Sequence, residues 1–111
     1  MSEYKKCYSP LDSQKIEFGA GYYKTVIETD QIVCGELYVP PHAKAGFDRG
    51  HEDADEVFHI VMGVATVCFP GTNEVVEVPM GSYIMMPRST AHEVSNNTDE
   101  NLLLTFSCVK R

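Results

Sequence analysis

Short runs of β-forming residues, separated by turn residues every eight to twelve positions, are the feature that most limits how this chain of 111 residues can fold. No stretch keeps a helical period for more than one or two turns. Residues 70–73, Pro-Gly-Thr-Asn, supply the dihedral angles that a tight hairpin loop requires. We predict an all-β domain, a sandwich or a barrel, with strands at residues 22–28, 32–39, 56–62, 65–69, 74–78, 83–86, 92–95 and 102–108.

The length and composition predict one domain preceded by an arm. A chain with 43% hydrophobic and 23% charged residues is long enough to bury a core without disulfide bonds. Residues 1–21 are polar, with Tyr4, Tyr8 and Phe18 as isolated anchors. We predict that they form an N-terminal arm, able to pack across a partner subunit, and that residues 22–111 form the single domain.

Charge, hydropathy and cysteine spacing restrict the partners and the compartment. The net charge of -7 would repel the phosphates of a nucleic acid. No apolar run approaches the ~20 residues of a membrane helix, and no apolar segment follows the basic residues near the N-terminus. The four cysteines are far apart and include no C-x-x-C pair. We therefore expect free thiols and a cytoplasmic location, with neither nucleic acid nor membrane as a partner.

The segment around Glu56 resembles the first of two signature motifs of the cupin superfamily. That motif usually reads G-x5-H-x-H-x3-4-E-x6-G. When the sequences are aligned on Glu56 and Gly63, His51 takes the second histidine of the motif, and Arg49 stands where the first histidine is expected. The chain therefore keeps one histidine and the glutamate of this motif.

The segment from Gly81 onward resembles the second cupin motif, which usually reads G-x5-P-x-G-x2-H-x3-N. The match includes Gly81, Pro87, His92 and Asn96. Ser89 replaces the inner glycine of the motif. The turn before the motif's histidine is therefore expected to form around a serine.

The resemblance covers roughly residues 32–107 and implies a cupin jelly-roll β-barrel (double-stranded β-helix) of two packed antiparallel sheets. It also implies a divalent metal ion bound by His51, Glu56 and His92 inside the barrel. Two imidazoles and one carboxylate suit Fe(II), and also Mn, Ni or Zn. The alternative is that these three side chains form a hydrogen-bonded polar cluster in a metal-free barrel.

Arg49 cannot replace the missing histidine ligand, because a guanidinium group has five donors and no acceptor. It could instead clamp a carboxylate or phosphate of the substrate in bidentate fashion. The alternative is that it pairs with Asp48, Asp53 or Asp55 at the mouth of the barrel. Asp53 could itself supply a fourth ligand, and His42, in a loop after two prolines, could turn toward the site.

Strand alternation assigns side chains to the interior or exterior of the barrel. If Glu56 faces inward, the residues of the same parity do so too: Phe58, Ile60 and Met62. The residues of opposite parity then face outward: Val57, His59 and Val61. His92, Val94 and Asn96 share one face in the same way. A Tyr38 that faces the pocket would supply a hydroxyl acid or hydrogen-bond donor, and Glu56 could serve as a ligand or a proton shuttle.

These expectations describe a small metal-dependent enzyme that acts on a small polar or anionic metabolite, of the dioxygenase, lyase or isomerase type. The apolar lining and the substitution at Arg49 favour oxygenase or lyase chemistry, since sugar sites carry more hydroxyl and carboxamide groups. The alternative is a ligand-binding or sensing protein without turnover, and a third possibility is an accessory dimer with a vestigial site. We expect a homodimer, because sheet edges and an outer apolar face (Val57, Val61) need to be covered.

Overall fold

The computed structural model describes residues 6–110, whose regular secondary structure consists almost entirely of strands. A short 3-10 turn spans Pro10–Asp12. The strands are β1 (Ile16–Phe18), β2 (Gly21–Glu28), β3 (Ile32–Val39), β4 (Ala43–Asp48), β5 (Ala54–Met62), β6 (Val64–Phe69), β7 (Glu74–Pro79), β8 (Tyr83–Met86), β9 (His92–Asn96) and β10 (Leu102–Lys110). Within the described residues, no helix is long and apolar enough to cross a membrane. Tyr4, an anchor of the predicted arm, lies outside them.

The strands form two sheets in which every neighbouring pair is antiparallel. A six-stranded sheet has the order β1-β2-β3-β10-β5-β8, and a four-stranded sheet has the order β4-β9-β6-β7. The apolar core combines buried side chains from both sheets: Leu37, Val39, Ile60, Leu102 and Leu104 from the larger, and Ala65, Val67 and Val94 from the smaller. The predicted jelly roll of two antiparallel sheets is thereby confirmed. All eight predicted strands are present, with ends that differ by no more than two residues.

Two strands were not predicted from the sequence. β4 consists of Ala-Lys-Ala-Gly-Phe-Asp, whose residues mostly have a low β propensity, and it forms because β9 pairs with it. β1 lies inside the predicted arm, where it pairs with β2, and Phe18 packs against the core. This end of the arm is therefore part of the larger sheet.

The inward face of β5 follows the predicted alternation for most of its length. Glu56, Phe58 and Ile60 are buried. The prediction for Met62 was wrong, because this side chain is 44% exposed. The exposure of Met62 results from a shift of register between β5 and β10. Leu104 lies opposite Ile60, but the preceding residue of β10, Leu103, lies opposite Met62, so that Val61 has no direct partner in β10. One extra residue in β5 changes the face to which the strand end points.

The two motif segments are joined by a backbone hydrogen bond. Ser89 has a φ of 62°, in the left-handed region that favours glycine, at the position where the second motif has its inner glycine. Its N–H donates to the carbonyl oxygen of His51 at 2.8 Å. The loop before His92 is therefore held next to the segment that carries His51.

Gly63 and Gly81 offer a matched pair for measuring how much a strand connection depends on glycine. Both have a φ of 87°, a conformation that costs a residue with a Cβ atom about 1–2 kcal/mol. A Cβ atom on Gly63 would lie 2.4 Å from the carbonyl oxygen of Asn101, whereas Gly81 has open space there.

We expect Gly81→Ala to lower the free energy of unfolding by about 1–2 kcal/mol. Gly63→Ala should lower it further, by roughly another 1–3 kcal/mol, because backbone must shift to relieve the contact with Asn101. Urea denaturation of both variants and the parent protein measures the difference. Equal losses would show that the contact with Asn101 is relieved without cost.

Candidate metal site

A cavity of about 560 Å³ lies between the two sheets, next to the apolar core. One part of its wall is aromatic and consists of Phe18, Tyr23, Phe47, Phe58 and Phe106. Another part is ionisable and consists of Asp48, Arg49, His51, Asp53, Glu56, His92, Cys108 and Lys110. A few polar groups in an otherwise apolar cavity are the usual composition of a small-molecule site.

Two cross-strand pairs bring the ionisable groups together. Asp48 in β4 lies opposite His92 in β9, and Glu56 in β5 lies opposite Cys108 in β10. Side chains of directly opposite residues emerge on the same face of a sheet. The first pair belongs to the four-stranded sheet and the second to the six-stranded sheet, so that the pairs meet in the cavity between them.

The distances around Glu56 and His92 are those of atoms that could share a metal ion. Glu56 Oε1 lies 3.1 Å from His92 Nε2 and 3.8 Å from His51 Nε2. Asp48 Oδ2 lies 3.5 Å from His92 Nε2. Ligand atoms bound at about 2.0–2.2 Å to one ion are roughly 3–4 Å apart. In two overlapping sets, Asp48 with Glu56 and His92, and His51 with Glu56 and Cys108, all the candidate ligand atoms lie within 4.8 Å of one another. Glu56 belongs to both sets, whereas His51 and His92, which were predicted to bind one ion, fall in different sets.

The tautomer of His92 is set by a contact with the backbone carbonyl of Thr90. Its Nδ1 lies 2.9 Å from the carbonyl oxygen of Thr90, which can only accept, so Nδ1 carries the proton. In the neutral ring Nε2 then presents a lone pair to the carboxylates of Glu56 and Asp48. Neither His92 Nε2 nor Glu56 Oε1, both buried, has a hydrogen-bond partner among residues 6–110. Acceptors that face each other out of water need a cation between them, either a proton or a metal ion.

The pKa of His92 reflects the charges of the carboxylates around it. Burial alone would lower this pKa, but the adjacent Glu56 carboxylate, the Thr90 carbonyl and the Asp48 carboxylate outweigh burial and raise it above its ordinary value of 6.5. The protein therefore stabilises a positive charge at this point.

Cys108 orients Glu56 and was not among the residues predicted from the sequence. Its thiol donates to Glu56 Oε2 at 3.4 Å. Burial, together with the charges of Glu56, Asp48 and Asp53, raises the pKa of this thiol to about 12, so that it stays protonated. The bond leaves Glu56 Oε1 directed toward His92. Only knowledge of the β5–β10 register could have placed a cysteine 52 residues away beside Glu56.

Arg49 lines the cavity at an exposed position, and the structure shows no hydrogen bond or ion pair for it among residues 6–110. The pairing with Asp48, Asp53 or Asp55 that we considered from the sequence is thus not observed. Asp48 accepts a hydrogen bond from the backbone N–H of Gly50 at 2.8 Å instead. The guanidinium group is therefore available to a ligand.

The prediction that Tyr38 faces the pocket was wrong. Its neighbours Leu37 and Val39 are buried, so alternation turns Tyr38 to the outer face of the sheet. There its hydroxyl donates to Asn101 Oδ1 at 2.8 Å. Tyr38 is thus excluded as an acid or donor in the cavity.

Three further residues considered from the sequence, two of them as candidates for the site, lie outside the cluster. His42 is exposed and contacts Asp99. Asp53 lines the cavity at an exposed position but belongs to neither set of candidate ligands. His59 lies on the outer face and stacks on Tyr83, with ring centroids 4.2 Å apart.

Comparisons with solved structures give many chains of the same fold. A predicted oxalate decarboxylase from Thermotoga maritima has a TM-score of 0.81 and 12% identity over 96% of this chain and 100% of its own. FeII HppE has a TM-score of 0.82 and 12% identity, over 97% of this chain and 62% of its own. The polyketide cyclase RemF from Streptomyces resistomycificus has a TM-score of 0.72 and 16% identity, over 94% and 78%. At these identities the likeness concerns the fold alone.

At the level of sequence, no curated protein matches this chain. The family described as the cupin domain matches residues 35–108, which is more than half of the chain and includes both motif segments and every residue of the two candidate ligand sets. The resemblance inferred from the motifs is thereby confirmed, and the protein belongs to the cupin domain family.

Proposed function

We propose that this protein is a metal-dependent enzyme acting on a small anionic metabolite that also carries an apolar group. One observation carries the proposal: His92 Nε2 and Glu56 Oε1 face each other at 3.1 Å in a cavity large enough for a metabolite, buried and without hydrogen-bond partners among the described residues. Orphaned acceptors of this kind are costly unless a cation binds them.

His51, Glu56 and His92 would hold the ion, as a divalent Fe, Mn, Ni or Zn centre. Such an ion supplies a Lewis acid and open positions for a substrate. The chain's own residues prepare the site: the Thr90 carbonyl presents the lone pair of His92, and the Cys108 thiol fixes the rotation of the Glu56 carboxylate. Outer contacts of this type orient metal ligands.

The wall of the cavity supports a substrate with two unlike ends. Phe58 and Phe106 are cross-strand partners, and the ring of Tyr23 lies 6.2 Å from Phe106 and 5.8 Å from Phe18. This continuous aromatic surface would bind an apolar group. Arg49, without an ion pair among the described residues, would bind a carboxylate or phosphate.

These features favour oxygenase or lyase chemistry over sugar isomerisation, because the lining offers aromatic rings where a sugar would need hydroxyl and carboxamide groups. The structural neighbours support this choice by their names, which include a predicted oxalate decarboxylase and an FeII protein. The second candidate is a ligand-binding or sensing protein without turnover. The replacement of a motif histidine by Arg49 favours it, because a weakened metal site serves binding better than catalysis.

Metal analysis of protein purified without chelators tests the proposal. Near-stoichiometric Fe, Mn, Ni or Zn, followed by consumption of an aromatic or aliphatic carboxylate under air, would support an enzyme. Ligand-induced stabilisation without any conversion would support the sensing function. Protein that neither retains a metal ion nor binds one added afterwards would contradict the proposal.

An apolar strip on the outer face of the six-stranded sheet supports the proposed homodimer. Met85 lies opposite Val57 at the edge formed by β8, and Tyr83, Met85 and Val61 are exposed. A surface of this kind at an open sheet edge is a typical interface. The strip also lies away from the cavity, so that dimer formation would leave the site open.

We expect light scattering at micromolar concentration to give the mass of a dimer. Met85→Lys should shift the mass toward a monomer, because it places a charge in the middle of the strip. Val75→Lys, on an exposed residue of β7 in the other sheet, serves as the control and should leave the mass unchanged. A monomeric parent protein would contradict the prediction.

A further inference from the structure

We propose that Asp48 is a metal ligand and takes the role that Arg49 cannot fill, in a set with Glu56 and His92 whose ligand atoms all lie within 4.8 Å of one another. The inference rests on the proposed function, because it requires a metal ion at His51, Glu56 and His92. It goes further by adding a residue outside the histidine positions of the motif. It also names the class of cation that the site would prefer.

The register of β4 brings Asp48 to the site. Ala43 and Lys44 pair with Asn96 and Ser95, after which the register shifts by one residue, and Asp48 lies opposite His92. Without that shift residue 47, a phenylalanine, would lie opposite His92. The irregularity in β4 therefore replaces an aromatic side chain with a carboxylate at this point.

The carboxylates of Asp48 and Glu56 are oriented by hydrogen bonds in the same way. Asp48 Oδ1 accepts from the N–H of Gly50 at 2.8 Å, and Glu56 Oε2 accepts from the thiol of Cys108 at 3.4 Å. The other oxygen of each faces His92 Nε2, at 3.5 Å for Asp48 and 3.1 Å for Glu56. Each acid thus has one oxygen held by a donor and one directed at a common point, the arrangement of oriented metal ligands.

Charge balance points to a divalent ion. Asp48 and Glu56 together contribute two negative charges, and no lysine or arginine among residues 6–110 forms an ion pair with either. A proton on His92 would offset only one of them. A divalent cation offsets both, and it removes the repulsion between two carboxylates in a partly buried site.

The donor set indicates which divalent cations are favoured. Carboxylate oxygens suit harder cations, whereas imidazole suits Zn, Cu, Fe and Ni. Exchanging one histidine of the motif for a carboxylate shifts the preference toward Mn(II). Cys108 is the competing candidate for a fourth ligand, since it shares the second set with His51 and Glu56, and a thiolate would shift the preference toward softer ions.

Titration calorimetry of chelator-treated protein with MnCl2 tests the inference, together with the loss of the free Mn(II) signal in electron paramagnetic resonance. We expect Asp48→Asn to weaken Mn(II) binding by at least about 100-fold, the upper end of the loss seen when only an outer-shell partner is removed. Asp53→Asn removes the same charge from the same cavity and should bind like the parent protein. Asp48→Ser, whose hydroxyl can still accept from Gly50, provides a second variant if Asp48→Asn does not fold.

The outcomes separate this inference from the proposed function. If Asp48→Asn binds Mn(II) like the parent protein while His92→Ala does not, Asp48 is not a ligand and the metal site stands. If Cys108→Ser loses Mn(II) binding and Asp48→Asn keeps it, the fourth ligand is Cys108, and the inference is overturned. A parent protein that binds none of Mn, Fe, Ni and Zn would overturn both.

Discussion

His92→Ala and His51→Ala are expected to reduce the metal retained after purification to background, because each removes an imidazole that faces Glu56 Oε1. The loss in affinity should be at least about 100-fold for each variant. It should be larger for His92, whose side chain is 2% exposed and 3.1 Å from Glu56, than for His51, which is 41% exposed and 3.8 Å away. Metal content by plasma mass spectrometry and affinity by calorimetry measure both effects.

His59→Ala provides the matched control for these variants. His59 is also in β5, but it lies on the outer face against Tyr83 and should leave the metal content unchanged. Circular dichroism of the metal-free forms separates loss of a ligand from loss of the fold. Equal metal content in His51→Ala, His92→Ala and His59→Ala would show that the ion, if any, binds elsewhere.

Arg49→Ala should remove most of the affinity for anionic ligands. Loss of one partner from a bidentate contact with a carboxylate or phosphate typically costs ~2–5 kcal/mol of binding, which corresponds to roughly 30-fold or more. The effect should be visible in a thermal-shift screen of metal-loaded protein against small carboxylates and phosphates. Anions that stabilise the parent protein should no longer stabilise the variant.

Arg88→Ala controls for the removal of one positive charge, because Arg88 is exposed and does not line the cavity. It should respond to anions like the parent protein. If the ligands that stabilise the protein are neutral, or if Arg49→Ala responds like the parent, Arg49 does not select the ligand. The aromatic wall would then be the stronger guide to the substrate.

Strand alternation was sufficient to predict the inward face of β5 but failed at its end. Burial of Glu56, Phe58 and Ile60 follows a period of two, which can be predicted from the sequence once Glu56 is placed inside the barrel. The extra residue that turns Met62 outward exists only in the pairing between β5 and β10. Such a shift depends on a partner strand some 40 residues away, and local sequence carries no signal for it.

The same limit explains why Asp48 was not recognised as a candidate ligand. Its strand has few strong β formers, so the sequence indicated a loop, in which Asp48 had no assigned direction. The motif directed attention to position 49, whereas the register shift in β4 directs the side chain of position 48 toward His92.

The orientation of Tyr38, in contrast, could have been predicted from the sequence. Leu37 and Val39 on either side are both apolar, and their parity could have indicated that Tyr38 faces outward.

Asp48 and His92 belong to one sheet, whereas Glu56 and Cys108 belong to the other, so that the site spans the gap between the sheets. Breathing of the barrel at this end would lengthen the 3.1 Å separation between Glu56 and His92 while leaving the hydrogen bonds within each sheet intact. An ion at this point would act as a cross-link that resists this motion. Metal retention and ligand entry would then oppose each other, because tighter binding of the ion would slow the separation of the two sheets that admits a ligand.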